Sequence, residues 1–251
     1  MHGYQAETVV DQEQYAVKVP ENLKSWGVLS EPFSVSEKAI SEAFRIQYSR
    51  LPEASDRSKW LQNRRCLVAG LGPVGLLAAL ALRLRGADVT GLDIVDVNTT
   101  RPRWLNSIGG KYIDGRVVSP DHVDDQLGPM DLIFEATGVA SLEFNLLDAL
   151  AANGIYVLTG IPSGDRPLKI PGAQLVRQLV LDNQVMFGSV NATRDHFQMA
   201  VNDMLQADIR WEGILDHLIT NRFAPEDHQK ALFEHPVDEI KSVIVWGKGI
   251  S

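Results

Sequence analysis

The run Gly70-Leu71-Gly72-Pro73-Val74-Gly75 places glycines at its first, third and sixth positions. Between a strand and a helix, the first glycine permits a tight turn, the second lets the backbone approach a diphosphate, and the third allows close packing of helix on strand. N–H groups at the start of the helix then bind the phosphates. Since glycine-rich turns also serve purely structural roles, the motif predicts a dinucleotide site only in that context.

The residues on either side of this run supply the required context. Residues 65–69 are apolar after Arg65 and predict a short buried strand, and residues 73–85 predict a helix. Cys66 lies within the strand, where a buried structural role is expected rather than a reactive thiol. We therefore expect Gly70, Gly72, Pro73, Val74 and Gly75 to contact a dinucleotide.

Asp93 ends the second predicted strand, 23 residues after Gly70 (93 − 70 = 23). An acid at this distance accepts hydrogen bonds from the adenosine ribose and repels a 2′-phosphate, which favours NAD over NADP. Two alternatives stay open. Arg101 and Arg103 lie downstream and could bind a phosphate, and Asp93 could instead cap a turn with Asn98.

Three further loops follow predicted strands. They are Ala136-Thr137-Gly138, Thr159-Gly160-Ile161-Pro162 and Ser189-Val190-Asn191. In open α/β sheets, ligands bind in the crevice beyond the carboxyl ends of the strands, so these loops are expected to line the rest of the dinucleotide. A short structural turn is an equally good interpretation for any one of these residues.

The middle of the chain alternates short apolar segments with segments of helical periodicity, which predicts an α/β fold with a doubly wound parallel sheet. The predicted strands are 65–69, 88–92, 132–135, 155–158 and 185–187, and the predicted helices are 73–85, 103–108, 142–152, 173–181 and 195–205.

The two flanks have a different pattern. Before the sheet, Tyr15–Val19 predicts a strand, and residues 35–48 predict a helix with Ser34 as N-cap, Glu37 completing a capping box, and Phe44 in the core. After the sheet, we expect a strand at 218–223, a helix at 225–233 and a strand at 240–246. Neither flank has enough elements to enclose a core of its own.

Composition excludes several classes of protein. The 251 residues carry 24 Lys and Arg against 32 Asp and Glu, a net charge of −8, without the basic stripe that nucleic-acid binding needs. The longest apolar run, 74–82, is too short to cross a membrane, and the first residues lack the features of a secretory signal. We expect a cytoplasmic protein whose six histidines are isolated surface or capping residues.

Several segments, in order along the chain, carry a family resemblance. They are His2-Gly3-Tyr4, Val17-Lys18-Val19-Pro20, Val28-Leu29-Ser30-Glu31-Pro32, Glu37-Lys38, the glycine run, Glu135-Ala136-Thr137-Gly138 and Ser189-Val190-Asn191. Together they resemble the glucose dehydrogenase branch of the zinc-dependent medium-chain alcohol dehydrogenases. The resemblance implies a Rossmann-type sheet flanked by remnants of a β-rich GroES-like domain.

By the same resemblance, the chain transfers a hydride from an aldose or alcohol to NAD or NADP, while a zinc ion polarises the alcohol. Glu31 matches the family's late carboxylate at the zinc site, and Asn191 matches an amide that contacts sugar hydroxyls. Thr159, Ile161 and Val190 match positions near the nicotinamide. Members that prefer NADP carry Asn-Arg-Arg after the second strand, whereas this chain has Asp93-Ile94-Val95, which supports NAD.

The segment that supplies the family's Cys, His and Glu zinc ligands has no counterpart in these residues. Glu31 alone cannot hold a catalytic zinc, which needs about three protein ligands. We therefore expect residues 1–62 to be the remnant of a GroES-like domain with a connecting helix. Residues 63–207 then form the nucleotide-binding domain, and residues 208–251 return to the catalytic domain.

Three hypotheses follow for the function. The first is a sugar dehydrogenase present as an incomplete chain, and the second is a nucleotide-binding protein or a subunit completed by a partner. A metal-free reductase is the third, although no Tyr or Ser can be assigned as its acid. Homo-oligomerisation through the sheet edge near Val185 to Gly188 is implied by the resemblance only.

Overall fold

The computed structural model describes residues 8–118, 123–164 and 167–246. Its centre is a six-stranded parallel sheet with the strand order β3-β2-β1-β4-β5-β6. The strands are β1 Arg65–Ala69, β2 Asp88–Asp93, β3 Lys111–Asp114, β4 Met130–Glu135, β5 Leu150–Leu158 and β6 Val185–Gly188. This confirms the α/β fold with a doubly wound parallel sheet of the Rossmann type.

Helices cover both faces of the sheet. They are α1 Ser30–Arg50, α2 Pro73–Leu84, α3 Thr100–Ser107, α4 Val123–Leu127, α5 Ala140–Asn145, α6 Gly172–Leu181, α7 Arg194–Arg210 and α8 His228–Phe233. Successive residues of β1 point to opposite faces. Cys66 and Val68 therefore pack with α1, α2 and α7, while Leu67 and Ala69 join the second cluster of the core on the other face. Cys66 is buried, as predicted, and burial raises the pKa of its thiol.

The strand order reverses direction between β1 and β4. Ala69, the last residue of β1, is paired with Leu92 of β2 on one side and with Glu135 of β4 on the other. In sheets of this type, the loops that leave adjacent strands diverge to opposite faces at this point and open a crevice. The glycine run leaves β1 here.

The start of α2 lies directly on this turn. Gly70 has a φ of +86°, a conformation that glycine adopts without strain. A Cβ atom on Gly75 would lie 1.8 Å from the carbonyl oxygen of Gly70, far closer than a non-bonded Cβ atom approaches an oxygen. Only glycine therefore allows the helix to begin this close to the strand, in agreement with the role predicted for the third glycine.

Helix α1 corrects the predicted start at Ser34. The helix begins at Ser30, directly after a 3₁₀ turn, and its N-cap is Leu29. Pro32 lies in the first turn of the helix, where a missing N–H costs no hydrogen bond. Ser34 lies inside the helix and donates to the carbonyl of Glu31 at 2.7 Å, and the Glu37 side chain accepts a hydrogen bond from Arg85 instead of forming a capping box.

Other predicted elements were wrong in part. Residues 16–20 form no strand, and a 3₁₀ turn covers Glu13–Tyr15, since an alternating pattern becomes a strand only when another strand pairs with it. The helix predicted at 142–152 ends at Asn145, and β5 begins already at Leu150. The short elements β3 and α4 were not predicted.

The C-terminal segment contributes two short strands, β7 Asn221–Phe223 and β8 Ser242–Ile244, which pair in parallel. The helix predicted at 225–233 is a 3₁₀ turn followed by α8. Buried side chains of both flanks, including Leu23, Leu218 and Val243, belong to the same core cluster as α1, α2 and α7. The predicted domain boundaries remain predictions.

In the described part of the chain, no helix has the length and apolar character needed to cross a bilayer. His2 and His122, and the resembling segment His2-Gly3-Tyr4, lie outside the described residues. His196 lies in a capping box with Thr193 at the start of α7.

A buried cluster of charges joins three helices. The Arg85 guanidinium, just after α2, lies 2.7 Å from a carboxylate oxygen of Glu37 on α1 and 2.6 Å from one of Asp203 on α7. Glu37 is fully buried, and its Oε1 has no hydrogen-bond partner. Burial raises the pKa of Glu37 to about 8; the charge of Arg85 opposes this shift and that of Asp203 adds to it. Glu37 thus holds a proton in the folded chain up to a higher pH than in the unfolded chain.

This cluster predicts a pH-dependent stability. Between the ordinary carboxyl pKa and about 8, the folded chain binds more protons at Glu37 than the unfolded chain, so the free energy of unfolding falls as pH rises. We expect Glu37→Gln to remove that contribution, which is at most about 1.4 kcal/mol per pH unit. Urea denaturation at pH 5, 6.5 and 8 measures it, with the exposed Glu53→Gln as control. Equal pH slopes in the two variants would contradict the prediction.

Candidate functional site

A cleft of about 520 Å³ opens at the carboxyl ends of β1, β2 and β4. We call it the glycine-turn cleft; its lining includes Gly70, Gly72, Asp93, Arg101 and Thr137. The first two predicted glycines, the predicted strand-end acid and the predicted threonine therefore share one site. Its volume lies in the range typical of small-ligand and cofactor sites.

The backbone of the turn is held in place while Gly72 stays open. The Gly70 N–H donates to the carbonyl of Leu92 at 2.8 Å, and the Leu71 N–H donates to a carboxylate oxygen of Asp93 at 2.8 Å. A Cβ atom on Gly72 would meet no atom within 4 Å. The first N–H groups of an α-helix have no partner within the helix. Open backbone and free donors at a helix start are what a bound phosphate requires.

The Asp93 carboxylate faces the turn and is mostly buried. It accepts hydrogen bonds from the N–H groups of Leu71 and Ile94, at 2.8 Å and 2.7 Å, and lies 3.6 Å from the Arg101 guanidinium. A carboxylate has about four acceptor positions, so capacity remains for a ribose hydroxyl. The alternative cap with Asn98 is not formed, because Asp96 accepts the Asn98 N–H.

The Arg101 side chain is also held on its other side. Its Nε and Nη2 donate to the carbonyl of Glu239 at 3.2 Å and 3.0 Å. Arg103, the second candidate for binding a phosphate, is exposed. The guanidinium of Arg101 therefore joins the strand-end acid to the C-terminal segment.

Tyr112 on β3 supports the loop after Asp93, a role that sequence patterns did not predict. Its hydroxyl lies 2.9 Å from the carbonyl oxygen of Asp93 and 2.5 Å from that of Val95. Burial raises the pKa of this hydroxyl to about 12, and nearby carboxylates add to the shift. The hydroxyl therefore stays protonated as a donor to this loop.

A second cleft, of about 600 Å³, brings together the predicted residues from three distant segments. We call it the loop cleft; its lining includes Glu31, Thr159, Ile161, Val190 and Asn191. Glu31 comes from the start of α1, and the others come from the loops after β5 and β6. The rule that ligands bind beyond the carboxyl ends of the strands had placed the two loops at the ligand site, and the family resemblance had added Glu31.

The loop after β6 is tied to α1 by two side chains that the sequence did not predict. Lys38 donates from Nζ to the carbonyl of Val190 at 2.6 Å, and Ser189 donates from its hydroxyl to Glu42 at 2.7 Å. Lys38 and Glu42 are one helical turn apart and lie 3.6 Å from each other. Asn191 follows with a φ of +62°, a conformation that Asn tolerates better than most residues. The spacing of Lys38 and Glu42 by four residues is the one sequence feature that could have indicated that these two side chains lie together.

The loop after β4 lies between the two clefts. Thr137 lines the glycine-turn cleft, whereas Gly138 touches Ile161 of the loop cleft: a Cβ atom there would lie 2.7 Å from the Ile161 carbonyl oxygen. Both residues donate backbone hydrogen bonds to the buried side chain of Glu135. The sequence placed Glu135 in a resembling segment but gave it no role.

The C-terminal segment forms a third cleft, of about 500 Å³, against the first residue of α2. Pro73, Arg101, His235 and Lys241 contribute to its lining. Arg101 and Lys241 place positive charge beside the helix start, and Glu239 adds a carboxylate to the same lining. The Val74 side chain packs against the core, and the Val74 carbonyl accepts a hydrogen bond from the Ser36 hydroxyl. Contact of Val74 and Gly75 with a dinucleotide stays a prediction.

The described residues do not fit a zinc site. Nowhere in these ranges do three His, Cys, Asp or Glu side chains lie close enough to hold a metal ion. Glu31 is exposed at the edge of the loop cleft. One carboxylate is short of the three or so protein ligands of a catalytic zinc.

Another depression lies at the opposite end of the sheet, around Gln47, Trp60 and Asn153. Its volume is about 100 Å³, below the range of cofactor sites. The glycine-turn cleft and the loop cleft, both within that range, lie at the carboxyl ends of the strands, where ligands bind in open α/β sheets.

The chain matches the family model described as "Glucose dehydrogenase C-terminus" over residues 24–246. Among curated relatives, it is 33% identical to the glucose 1-dehydrogenase of Methanocella arvoryzae, covering 92% of this chain and 62% of the relative. It is 36% identical to the glucose 1-dehydrogenase of Thermoproteus tenax, covering 97% and 66%. The chain thus spans less than two thirds of the length of either relative.

A solved structure of Haloferax mediterranei glucose dehydrogenase in complex with NADP, Zn and gluconolactone superposes with a TM-score of 0.87 at 27% identity. The match covers 99% of this chain and 66% of that one. The resemblance predicted from the sequence is confirmed. Fold, family model and relatives agree, and the chain belongs to the glucose dehydrogenase C-terminus family.

Proposed function

We propose that this chain binds NAD and forms the nucleotide-binding part of a dehydrogenase that oxidises an aldose. The observation that carries the proposal is the open backbone at Gly72, at the start of α2, in one cleft with Asp93. The relatives named glucose 1-dehydrogenase support the substrate class, and the Haloferax structure supports a nicotinamide cofactor.

In this proposal, the two clefts receive the two ends of the dinucleotide. N–H groups at the start of α2 hold the diphosphate, with Lys241 and Arg101 nearby. Asp93 accepts from the adenosine ribose, and Thr159, Ile161 and Val190 surround the nicotinamide. A bound nicotinamide supplies the acceptor for a hydride. This chain's residues orient it, and Asn191 is assigned to sugar hydroxyls.

The preference for NAD rests on charge. A 2′-phosphate beside Asp93 would meet a like charge, and the nearest guanidinium, that of Arg101, is already shared between Asp93 and Glu239. Like charges placed together cost several kcal/mol. The Haloferax enzyme was solved with NADP, so cofactor choice is expected to differ between relatives.

A second candidate function is a nucleotide-binding subunit that depends on a partner for catalysis. It is favoured by the ligand count at Glu31, since no group of three His, Cys, Asp or Glu side chains that could hold a metal ion occurs among the described residues. No reaction step is therefore assigned to a metal in this chain. The cytoplasmic location and the homo-oligomer predicted from the sequence stay predictions.

The Gly72→Ala variant tests the proposed nucleotide site. The added methyl group would enter open space, and the backbone at Gly72 is extended, so we expect stability to change by less than about 0.5 kcal/mol. The same methyl group would stand between backbone and diphosphate, and NADH affinity is expected to fall at least about tenfold. Fluorescence titration with NADH measures it.

Gly172→Ala is the matched control, because a Cβ atom there also meets nothing within 4 Å. We expect this variant to bind NADH as the wild type does. Unchanged affinity in Gly72→Ala would refute the proposed phosphate contact.

Asp93→Ser tests the choice of cofactor. Removal of the carboxylate charge is expected to raise the affinity for NADPH relative to NADH by about tenfold. Titration of both nucleotides gives the ratio. Asp96→Ser removes the same charge three residues further on, outside the lining of the glycine-turn cleft, and should leave the ratio nearly constant. Equal ratios in the two variants would exclude Asp93 as the selecting group.

Turnover separates the two candidate functions. We expect the purified chain to bind NADH but to reduce NAD with D-glucose and added zinc far more slowly than a full-length relative, because the described residues lack a zinc ligand set. Absorbance at the NADH band measures the rate, with the Methanocella enzyme as a positive control. Rapid turnover by this chain alone would rule out the partner-dependent subunit.

A further inference from the structure

Glu135 is a buried carboxylate at the crevice that neither the motif nor the family match assigned to the site. It is the last residue of β4, and its side chain has no exposed surface. Its strand partners are Ala69 of β1 and Leu158 of β5, so it lies next to both the glycine turn and the loop after β5.

The side chain of Glu135 accepts hydrogen bonds from both neighbouring loops. Oε1 accepts the N–H groups of Thr137 and Gly138, at 2.5 Å and 2.9 Å, and the Thr137 hydroxyl. Oε2 accepts the Gly160 N–H at 3.2 Å. The Glu135 backbone carbonyl also accepts the hydroxyl of Thr159 at 2.7 Å. One residue therefore binds the loop after β4 to the loop after β5.

The two loops leave no room for another side chain at this contact. A Cβ atom on Gly160 would lie 2.2 Å from the Gly138 nitrogen and 2.5 Å from Glu135 Oε2. Gly138 has a φ of +64°, which places its N–H towards the carboxylate without strain. The carboxylate and the two glycines thus form one packed unit.

A carboxylate suits this place better than its amide. It is an acceptor only, and burial of its charge is tolerated because both oxygens have N–H or O–H partners. A glutamine would turn an NH₂ group towards at least one of the donors of Thr137, Gly138 or Gly160. Two donors would then face each other. The Gly160 N–H would keep only its second acceptor, the Glu135 backbone carbonyl at 3.2 Å, and the glutamine NH₂ group would be buried without an acceptor, at a cost in free energy.

The nearby Glu143 differs from Glu135 in its hydrogen bonding. It is also buried, on α5, but its Oε1 has no hydrogen-bond partner. Burial raises the pKa of Glu143, and the negative charge of Glu135 adds to the shift. Glu143 therefore offers a control with a buried carboxyl group that is not bonded to either loop.

We propose that Glu135 is a positioning residue that fixes the loops after β4 and β5 and so shapes the nicotinamide end of the site. The inference rests on the proposed function and deepens it. Thr137 faces the glycine-turn cleft and is bonded by the Glu135 side chain, and Thr159 faces the loop cleft and is bonded by the Glu135 backbone carbonyl. Ile161, also in the loop cleft, lies against Gly138, whose N–H the Glu135 side chain accepts. The diphosphate turn is held separately, through Leu92 and Asp93.

The test compares NADH with ADP, which lacks the nicotinamide end. In Glu135→Gln, we expect NADH affinity to fall at least about tenfold and ADP affinity to fall much less. Of three residues that line the glycine-turn cleft, Thr137 is bonded to the Glu135 side chain, whereas Gly72 and Asp93 are held independently. A variant that only lost stability would not separate the two ligands. Glu143→Gln is expected to bind both as the wild type does.

Amide hydrogen exchange at Thr137, Gly138 and Gly160 gives a readout without nucleotide. We expect protection in the wild type and faster exchange in Glu135→Gln. Unchanged exchange would overturn the proposal that the Glu135 side chain fixes the two loops. Unchanged NADH affinity would overturn the proposal that it shapes the nicotinamide end of the site. If the wild type binds neither ligand, both the proposed function and the proposed effect of Glu135 on nucleotide binding fail. The exchange rates still show whether Glu135 holds the two loops.

Should Glu135→Gln not melt cooperatively, Glu135→Asp takes its place. It keeps the charge but shortens the side chain by one methylene. We therefore again expect NADH affinity to fall more than ADP affinity, with a smaller difference than in Glu135→Gln. Equal losses for the two ligands, or none, would overturn the proposal.

Discussion

The contact between Gly75 and the carbonyl of Gly70 is the constraint on which the rest of the site depends. Because no side chain separates α2 from the end of β1, the helix starts at the sheet edge, and its first N–H groups face the crevice between β1 and β4. A side chain at Gly75 would displace this start. The position of the helix therefore sets where the proposed phosphate contact lies.

Once the helix start is placed, the backbone groups around it need partners, and two strand-end acids supply them. Asp93 accepts the N–H of Leu71 in the glycine turn, and Glu135 accepts N–H groups from the loops after β4 and β5. Loop N–H groups buried without an acceptor would cost free energy. Each acid therefore stabilises a loop; Glu135 does so without exposed surface, whereas Asp93 also lines the glycine-turn cleft.

Helix α1 connects the sheet to the loop cleft. Arg85 pairs with Glu37 of α1 and Asp203 of α7, which joins the two helices to the end of α2. Lys38, the next residue of α1, bonds the loop after β6. The same helix carries Glu31 at its start, so its position brings Glu31 to the loops beyond the sheet.

Sequence patterns failed where a tertiary contact decides local structure. Tyr15–Val19 has the alternation of a strand, but no strand pairs with it in the described residues, and it stays irregular after a 3₁₀ turn. The helix predicted to continue to residue 152 gives way at Leu150 to β5, because pairing with β4 competes with helical periodicity. Short edge elements such as β3 carry too few residues for a periodic signal.

The sequence by itself determined the parallel α/β fold, the glycine turn and the acid at Asp93, because these depend on local spacing and on residue types with unusual backbone freedom. Tertiary structure alone decided that Glu135 binds the loops after β4 and β5 and that Lys38 and Glu42 hold the loop after β6. Their partners lie on other elements, and in several cases are backbone groups common to every residue. No pattern along the chain can therefore predict these contacts.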